Sequence, residues 1–100
     1  MKAREFFESL EARADHSKIE GIDHTYLFEV EGEGRWLVEV RDGKVRVTEG
    51  SGAADVTISL SAATFEALAS RRQSPVVAYM KGKLKVKGDT AAALKLQKLF

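Results

Sequence analysis

The sequence predicts an α+β domain in which helices cover one face of a single five-stranded sheet, mixed or antiparallel. Three observations predict this class. Apolar residues alternate with polar ones in five short runs, as in strands. They recur at three- and four-residue steps in other segments, as in amphipathic helices. Strands dominate the first half of the chain and helices the second. With 100 residues, 44% of them hydrophobic, the chain is expected to form one domain over residues 1–100.

The first element is predicted to be a helix over residues 2–14. Its apolar residues keep helical spacing, and glutamates occupy the other face. The apolar set is Ala3, Phe6, Phe7, Leu10 and Ala14, and the acidic set is Glu5, Glu8 and Glu11. Residues 15–24 are polar and have no clear period, so we expect them to be a connector.

Three alternating runs follow, and they predict a β-meander with one apolar and one charged face. The inward sets are Tyr26, Phe28 and Val30, then Trp36, Val38 and Val40, then Val45 and Val47. The runs are joined at Gly32-Glu33-Gly34 and at Asp42-Gly43. An Asp-Gly pair between alternating runs is a strong hairpin signal, because a type I′ turn needs positive φ at both central residues.

The second half alternates short strands and helices. A fourth strand is predicted over Asp55–Leu60, and Ser61 is expected to cap a helix that buries Phe65 and Leu68. Pro75 fits the first turn of a short helix that runs through Met80. A fifth strand over Lys83–Lys87 and a last helix complete the order. Asp89 or Thr90 caps that helix, whose apolar stripe is Ala92, Leu96, Leu99 and Phe100.

Several functional classes have no support in the residues. The chain has no cysteine, which excludes a disulfide scaffold and a thiol nucleophile. His16 and His24 stand eight residues apart in a polar connector, which favours surface histidines over a zinc site. No Gly-x-Ser-x-Gly elbow and no Gly-Lys-Ser/Thr phosphate loop occurs. We therefore expect no catalytic residues, no metal and no cofactor.

Charge is distributed unevenly although the net charge is only +1. Residues 1–33 hold four basic and nine acidic residues, whereas residues 80–100 hold six lysines and one aspartate. Lys81, Lys83, Lys85 and Lys87 form a stripe that either protects an edge strand from aggregation or contacts anionic lipid headgroups or an acyl-CoA phosphate. Nucleic acid is disfavoured, since no aromatic residues alternate with these lysines. We see no membrane span or targeting signal and expect a cytoplasmic protein.

The last third of the chain resembles the sterol carrier protein type-two family. The resemblance rests on Met80-Lys81-Gly82-Lys83-Leu84-Lys85 with Gly88-Asp89, followed by a helix that carries Lys95-Leu96-Gln97. Upstream, Trp36–Val40 with Asp42-Gly43-Lys44-Val45 is similar to the second hairpin of that family. Ala54–Ser61 is similar to its fourth strand and helix cap. The match covers the chain from about residue 21 to residue 100.

The resemblance implies a sterol-carrier-like domain that encloses an apolar tunnel between sheet and helices. It implies binding and intracellular transfer of fatty acids, fatty acyl-CoA or sterol-like lipids, without catalysis. The ligand would lie among Phe65, Leu68, Val77, Met80, Leu84, Leu96, Leu99 and Phe100, and Gln97 could hydrogen-bond its polar head. The alternative is a scaffold or dimerisation domain of the same fold with a filled core, and composition alone favours the filled core.

Overall fold

The computed structural model describes residues 2–99, with the backbone alone at positions 96 and 99. Its first half holds two helices and three strands, and its second half holds two strands, three helices and a terminal 3₁₀ helix. The elements are α1 (Ala3–Arg13), α2 (His16–Ile19), β1 (His24–Val30), β2 (Gly34–Arg41), β3 (Lys44–Glu49), β4 (Val56–Leu60), α3 (Ala62–Ala69), α4 (Pro75–Met80), β5 (Lys85–Gly88), α5 (Thr90–Leu94) and the 3₁₀ helix (Lys95–Leu99).

The strands form one mixed sheet in the order β3-β2-β1-β4-β5, which confirms the predicted fold class. β1 lies at the centre, antiparallel to β2 and parallel to β4. Tyr26 therefore stands between Val38 and Val56, and all three side chains are buried. The even-numbered residues of β1 and β2 face the helices, because successive strand residues point to opposite sides of a sheet.

The link between β3 and β4 has to pass two strands, since β3 is an edge strand and β4 pairs with β1. It does so with small residues. A Cβ atom at Gly52 would lie 3.1 Å from Cδ2 of Leu37, an odd-numbered residue of β2. The Gly-Ser-Gly-Ala-Ala run at 50–54 therefore lets the backbone pass close over the face that the helices leave uncovered.

The predicted turn and cap residues behave as expected. Asp42 and Gly43 have φ of 53° and 71°, as a type I′ turn requires. The Ser61 hydroxyl accepts from the Thr64 N–H at 3.1 Å, and Oδ1 of Asp89 accepts from the N–H groups of Ala91 and Ala92. Pro75 occupies the first turn of α4.

Three elements differ from the sequence predictions by more than one residue. The connector at residues 15–24 contains the one-turn helix α2, in which the Asp15 carboxylate accepts from the Ser17 N–H. β5 begins at Lys85 instead of Lys83, because the Lys83 N–H bonds to the Ala78 carbonyl and so closes α4. The last α-helix ends at Leu94 and continues as the 3₁₀ helix; Phe100, its predicted end, lies outside the described residues.

The core is filled where α1 and α3 cover the sheet. Phe7 lies at its centre, with four aromatic ring centroids within 5.3 Å of its own. These rings belong to Phe6, Phe28, Trp36 and Phe65, and the Trp36 ring stacks on Phe7 at 4.9 Å. Close ring packing of this kind leaves no room for a ligand between α1, α3 and the sheet.

Polar contacts fasten α1 to the edge strand β3. Arg4 donates two hydrogen bonds to the Glu49 carboxylate, at 2.7 and 3.0 Å. The same guanidinium holds the pKa of Glu49 below its ordinary value. Oε1 of Glu11 accepts from the Val47 N–H, so one free backbone donor of this edge strand is satisfied by α1.

Candidate functional site

An apolar pocket lies on the other side of the molecule, where α4 and α5 meet β5. Its volume is about 90 Å³. Its described lining comes from three neighbouring segments of the chain: Pro75, Val76 and Tyr79 of α4, Leu84 and Val86 around β5, and Thr90, Ala93 and Leu94 of α5. We call it the α4–α5 pocket. Among these residues only Thr90 and Tyr79 carry a polar atom in the side chain, so the pocket suits a hydrocarbon group.

The pitch of α4 decides which of its residues line the pocket. Ala78 is fully buried and packs towards the core. Val76 and Tyr79 are three residues apart and line the pocket. Met80 lies about 200° around the helix from Ala78, since each residue turns the helix by about 100°. Its side chain consequently points to solvent and is 79% exposed.

The structure places the sequence-predicted site residues in three different environments. Leu84 lines the pocket. Phe65 and Leu68 are buried in the filled core under α3. Val77 and Met80 are on the exposed side of α4 and are not among the lining residues, and Gln97 is exposed on the 3₁₀ helix. The side chains of Leu96 and Leu99, and the whole of Phe100, lie outside the described part of the chain.

Sequence reasoning did not select most of the lining residues, although their spacing carried a signal. Val76 and Tyr79 share one face of a helix, and Val86 follows Leu84 on the inward face of a strand. Thr90, Ala93 and Leu94 have the i, i+3, i+4 spacing of a single helix face. The pocket is therefore formed by the inward faces of three short elements.

The walls of the pocket are weakly anchored compared with the rest of the fold. α4 and α5 each bury one described residue completely, Ala78 and Ala92, while α1 buries four. β5 has no fully buried residue and forms the edge of the sheet. Elements with few buried contacts open at a low free-energy cost. We therefore expect these walls to move more easily than the elements around the aromatic core.

A hydrogen bond from the sheet holds α5 in place behind the pocket. The Tyr26 hydroxyl donates to the Ala92 carbonyl at 2.7 Å. Burial raises the pKa of Tyr26 to about 12, and the negative charges of Asp55 and Asp89 act in the same direction. The phenol is therefore neutral and remains a donor over the whole physiological range.

The two histidines do not meet in the structure. The His16 ring contacts the Gly43 carbonyl beside the β2–β3 turn. His24 opens β1, and its Nδ1 lies 3.8 Å from Oδ2 of Asp55. In the described residues, no group of three or more His, Asp or Glu side chains comes together as a metal site would need. Over the same residues, no helix has the length and hydrophobicity to cross a bilayer.

The structure is a small α+β domain with a mixed five-stranded sheet, helices on one face and an apolar pocket beneath the short helices. Comparison with known proteins identifies the family. Over residues 5–100 the sequence matches the SCP-2 sterol transfer family, and the chain belongs to that family. The resemblance noted from the sequence is thus confirmed, and with it the general assignment to lipid-binding and lipid-transfer domains.

The relatives include domains within larger proteins. The chain is 34% identical over 101 residues to hydroxysteroid dehydrogenase-like protein 2 from Xenopus tropicalis, covering 97% of this chain and 24% of that protein. Among solved structures, it superimposes on the sterol carrier protein domain 2 of Helicoverpa armigera with a TM-score of 0.75 and 30% identity, covering 95% of this chain and 82% of that one.

A third similar protein is an enzyme. The sec-alkylsulfatase Pisa1 from Pseudomonas sp. superimposes with a TM-score of 0.80 and 28% identity, over 95% of this chain and 16% of that one. The chain spans less than a quarter of the length of the hydroxysteroid dehydrogenase-like relative from Xenopus tropicalis.

Proposed function

We propose that this domain binds the hydrocarbon chain of a fatty acid, a fatty acyl-CoA or a sterol-like lipid in the α4–α5 pocket, and carries out no covalent chemistry itself. The observation that carries the proposal is the apolar lining of this pocket, from Pro75 to Leu94, beside a core that is otherwise filled. Family membership supports the ligand class.

The pocket has to open when it binds a lipid, because it is small. A volume of about 90 Å³ is well below the ~300 Å³ at which pockets for small-molecule ligands begin. Burial of each CH₂ group contributes about 0.8 kcal/mol, so a ~16-carbon chain gains more than about 10 kcal/mol before the cost of ordering it. We expect this gain to offset the cost of separating α4 and α5 from β5, each of which buries at most one residue completely.

The polar head of the lipid would remain at the mouth of the pocket. Tyr79 and Leu94 are lining residues that are also about half exposed, which locates the mouth between α4 and α5. Gln97 is exposed on the 3₁₀ helix that follows α5. We expect Gln97 or a neighbouring lysine to hydrogen-bond a carboxylate or phosphate held there.

The test is native mass spectrometry of the protein with added fatty acid, applied to two matched variants. Ala93→Phe places a ring in the pocket, since Ala93 is a partly buried lining residue. Ala63→Phe makes the same change on the exposed side of α3. We expect the wild type and Ala63→Phe to carry a lipid adduct of one-to-one stoichiometry, and Ala93→Phe to lose it while keeping its circular dichroism spectrum. An adduct on folded Ala93→Phe would contradict the placement of the site.

The second candidate is a scaffold domain of the same fold that binds no lipid. The filled aromatic core and the small pocket volume favour it, as does the occurrence of similar domains within larger enzymes. In this case the wild type would carry no adduct and would take up no fluorescent fatty acid. A scaffold domain of this kind could form a homodimer through a sheet edge, and the native mass spectra would then show the mass of a dimer.

A further inference from the structure

The exposed apolar side chains of this domain are concentrated in one place. Among the described residues, four large hydrophobic side chains are exposed, and all four belong to α4 or α5. They are Val77 (41% exposed), Tyr79 (45%), Met80 (79%) and Leu94 (53%). Single exposed hydrophobic residues are normal on a soluble surface, but four on two short helices, two of them at the mouth of a pocket, indicate an interaction surface.

Lysines follow this apolar group along the chain and continue onto the edge strand β5. Lys81 and Lys83 lie in the turn that follows Met80, and Lys85 and Lys87 lie on the edge strand β5. The register pairs Lys85 with Ser59 and Lys87 with Thr57, so both lysines point away from the helices. All four are exposed, and within the described part of the chain none has a carboxylate within 4.0 Å. Glu31 is the acidic residue that lines the same shallow depression as Lys83, Lys85 and Lys87.

The two ends of the chain differ in charge, although the β3 side of the molecule also carries exposed basic residues, Lys44 and Arg46. α1 packs towards β3, at the other edge of the sheet, and its exposed face bears Glu5, Glu8 and Glu11. Residues 1–33 have a balance of four basic against nine acidic residues, whereas residues 80–100 have six lysines and one aspartate. An anionic surface would therefore attract the turn between α4 and β5, which is rich in lysine, more strongly than α1, where acidic residues outnumber basic ones.

We propose that the exposed side of α4, together with the four lysines at positions 81–87, docks the domain onto an anionic bilayer. We call this surface the docking corner. Apolar side chains on α4, next to a run of lysines that continues onto the edge strand, match the boundary between acyl chains and anionic headgroups. Docking in this orientation turns the mouth of the α4–α5 pocket towards the lipids. This consequence for loading rests on the proposed function, whereas docking itself does not.

The charge component is tested by co-sedimentation with phosphatidylcholine vesicles that do or do not contain phosphatidylserine. The test variant is Lys83→Glu with Lys87→Glu. Its control is Lys44→Glu with Arg46→Glu, which makes the same net charge change on exposed residues of β3. Each lysine near an anionic surface is worth a factor of about five in binding, so we expect the test variant to bind phosphatidylserine vesicles at least about 25-fold more weakly. The control should bind within about threefold of wild type.

The apolar component is tested with Met80→Gln, which keeps the charge and alters a side chain that is already largely exposed. If Met80 inserts into the bilayer, the variant should bind phosphatidylserine vesicles about tenfold more weakly than the wild type. The salt dependence of binding should be the same for both proteins, because their charge is the same. Wild-type affinity of this variant would overturn insertion at Met80. Equal losses in the two charge-reversal variants would overturn the docking corner as a whole.

Native mass spectrometry of the same proteins separates this proposal from the lipid-binding proposal. If the Lys83→Glu, Lys87→Glu variant keeps its fatty-acid adduct but no longer sediments with the vesicles, both the docking proposal and the lipid-binding proposal are supported. Vesicle binding that depends on the docking corner in a wild type that carries no adduct supports docking and overturns only the lipid pocket. A charge-reversal variant that still sediments like the wild type overturns docking, whatever its lipid content.

Discussion

At the scale of single residues, Gly88 shows how closely β5 approaches β4. Its φ is +107°, a conformation that side-chain-bearing residues rarely adopt. A Cβ atom there would lie 2.2 Å from the Asp55 carbonyl oxygen. The next N–H group, that of Asp89, donates to the same oxygen at 3.1 Å. The β5 edge can therefore pair with β4 at this point only because residue 88 has no side chain.

Replacing Gly88 with alanine should therefore destabilise the protein by several kcal/mol, because backbone has to move and a pairing bond is lost. Gly82→Ala is the matched control. Its φ is also positive, at +74°, but the added methyl group would meet nothing within 4 Å. We expect that control to cost only about 1 kcal/mol. Urea unfolding of both variants measures the difference, and similar midpoints would contradict the steric argument.

At the scale of elements, a single buried side chain ties the central strand to α5. The Tyr26 hydroxyl reaches the Ala92 carbonyl across the region where β4 and α5 pack together. The folded protein holds this phenol neutral, because burial raises its pKa to about 12. In the unfolded chain a tyrosine ionises near pH 10. Stability derived from Tyr26 is consequently complete below about pH 10 and is lost as the pH rises towards 12.

The variant Tyr26→Phe tests this tie. Near neutral pH it should lower the free energy of unfolding by about 1 kcal/mol, the usual worth of a buried hydrogen bond. The difference between wild type and variant should shrink, and can reverse, between about pH 10 and pH 12, because only the wild type has to keep this phenol protonated. Urea unfolding over this range is the measurement. A difference that does not change with pH would show that the ionisation of Tyr26 is not linked to folding.

Local patterns predicted most elements, because each depended on neighbouring residues. The alternation in the meander, the Asp42-Gly43 turn and the caps at Ser61 and Asp89 are short-range signals of this kind. The helix at 16–19 has four residues, too few to show a helical period, although Asp15 provided its cap. The strand order was not predictable in this way, since the parallel pairing of β1 with β4 joins distant parts of the chain.

The site was less predictable than the fold because it depends on the rotation of short helices. In a helix of six residues, the sequence does not show which apolar residue faces the core, because every position but one or two is apolar. Ala78, the smallest residue of its helix, turned out to be the buried one, and Val77 and Met80 were left outside. Close packing against the core favoured the small side chain at that contact. Hydrophobicity alone would have favoured the larger ones.

At the scale of the whole molecule, stability is distributed unevenly. One side has the aromatic core around Phe7 and the polar contacts between α1 and β3. The other side has the pocket, whose walls bury little. We expect amide hydrogens in α4, β5 and α5 to exchange faster than those in β1, β2 and β4.

A bound lipid should reverse part of this contrast. Fatty acid at about 100 times its dissociation constant stabilises the folded state by about 2.7 kcal/mol and raises the melting temperature of a domain of this size by about 10 °C or more. Exchange should slow in α4 and α5 and remain unchanged in α1. Differential scanning fluorimetry and hydrogen exchange provide the measurements, with Ala93→Phe as the control that should show neither effect. Uniform protection over the whole chain would argue against a local site.

The position of β1 between β2 and β4 also has a consequence for the order of folding. The hairpins that join β1, β2 and β3 close short loops, so the meander can form early. The parallel pair brings Tyr26 beside Val56 and requires a much longer loop to close, and β5 and α5 can dock only on the completed β4. We therefore expect the walls of the pocket to be assembled last. On this pathway an apolar ligand could meet the growing domain before the pocket closes, and the same final steps, run in reverse, would release it.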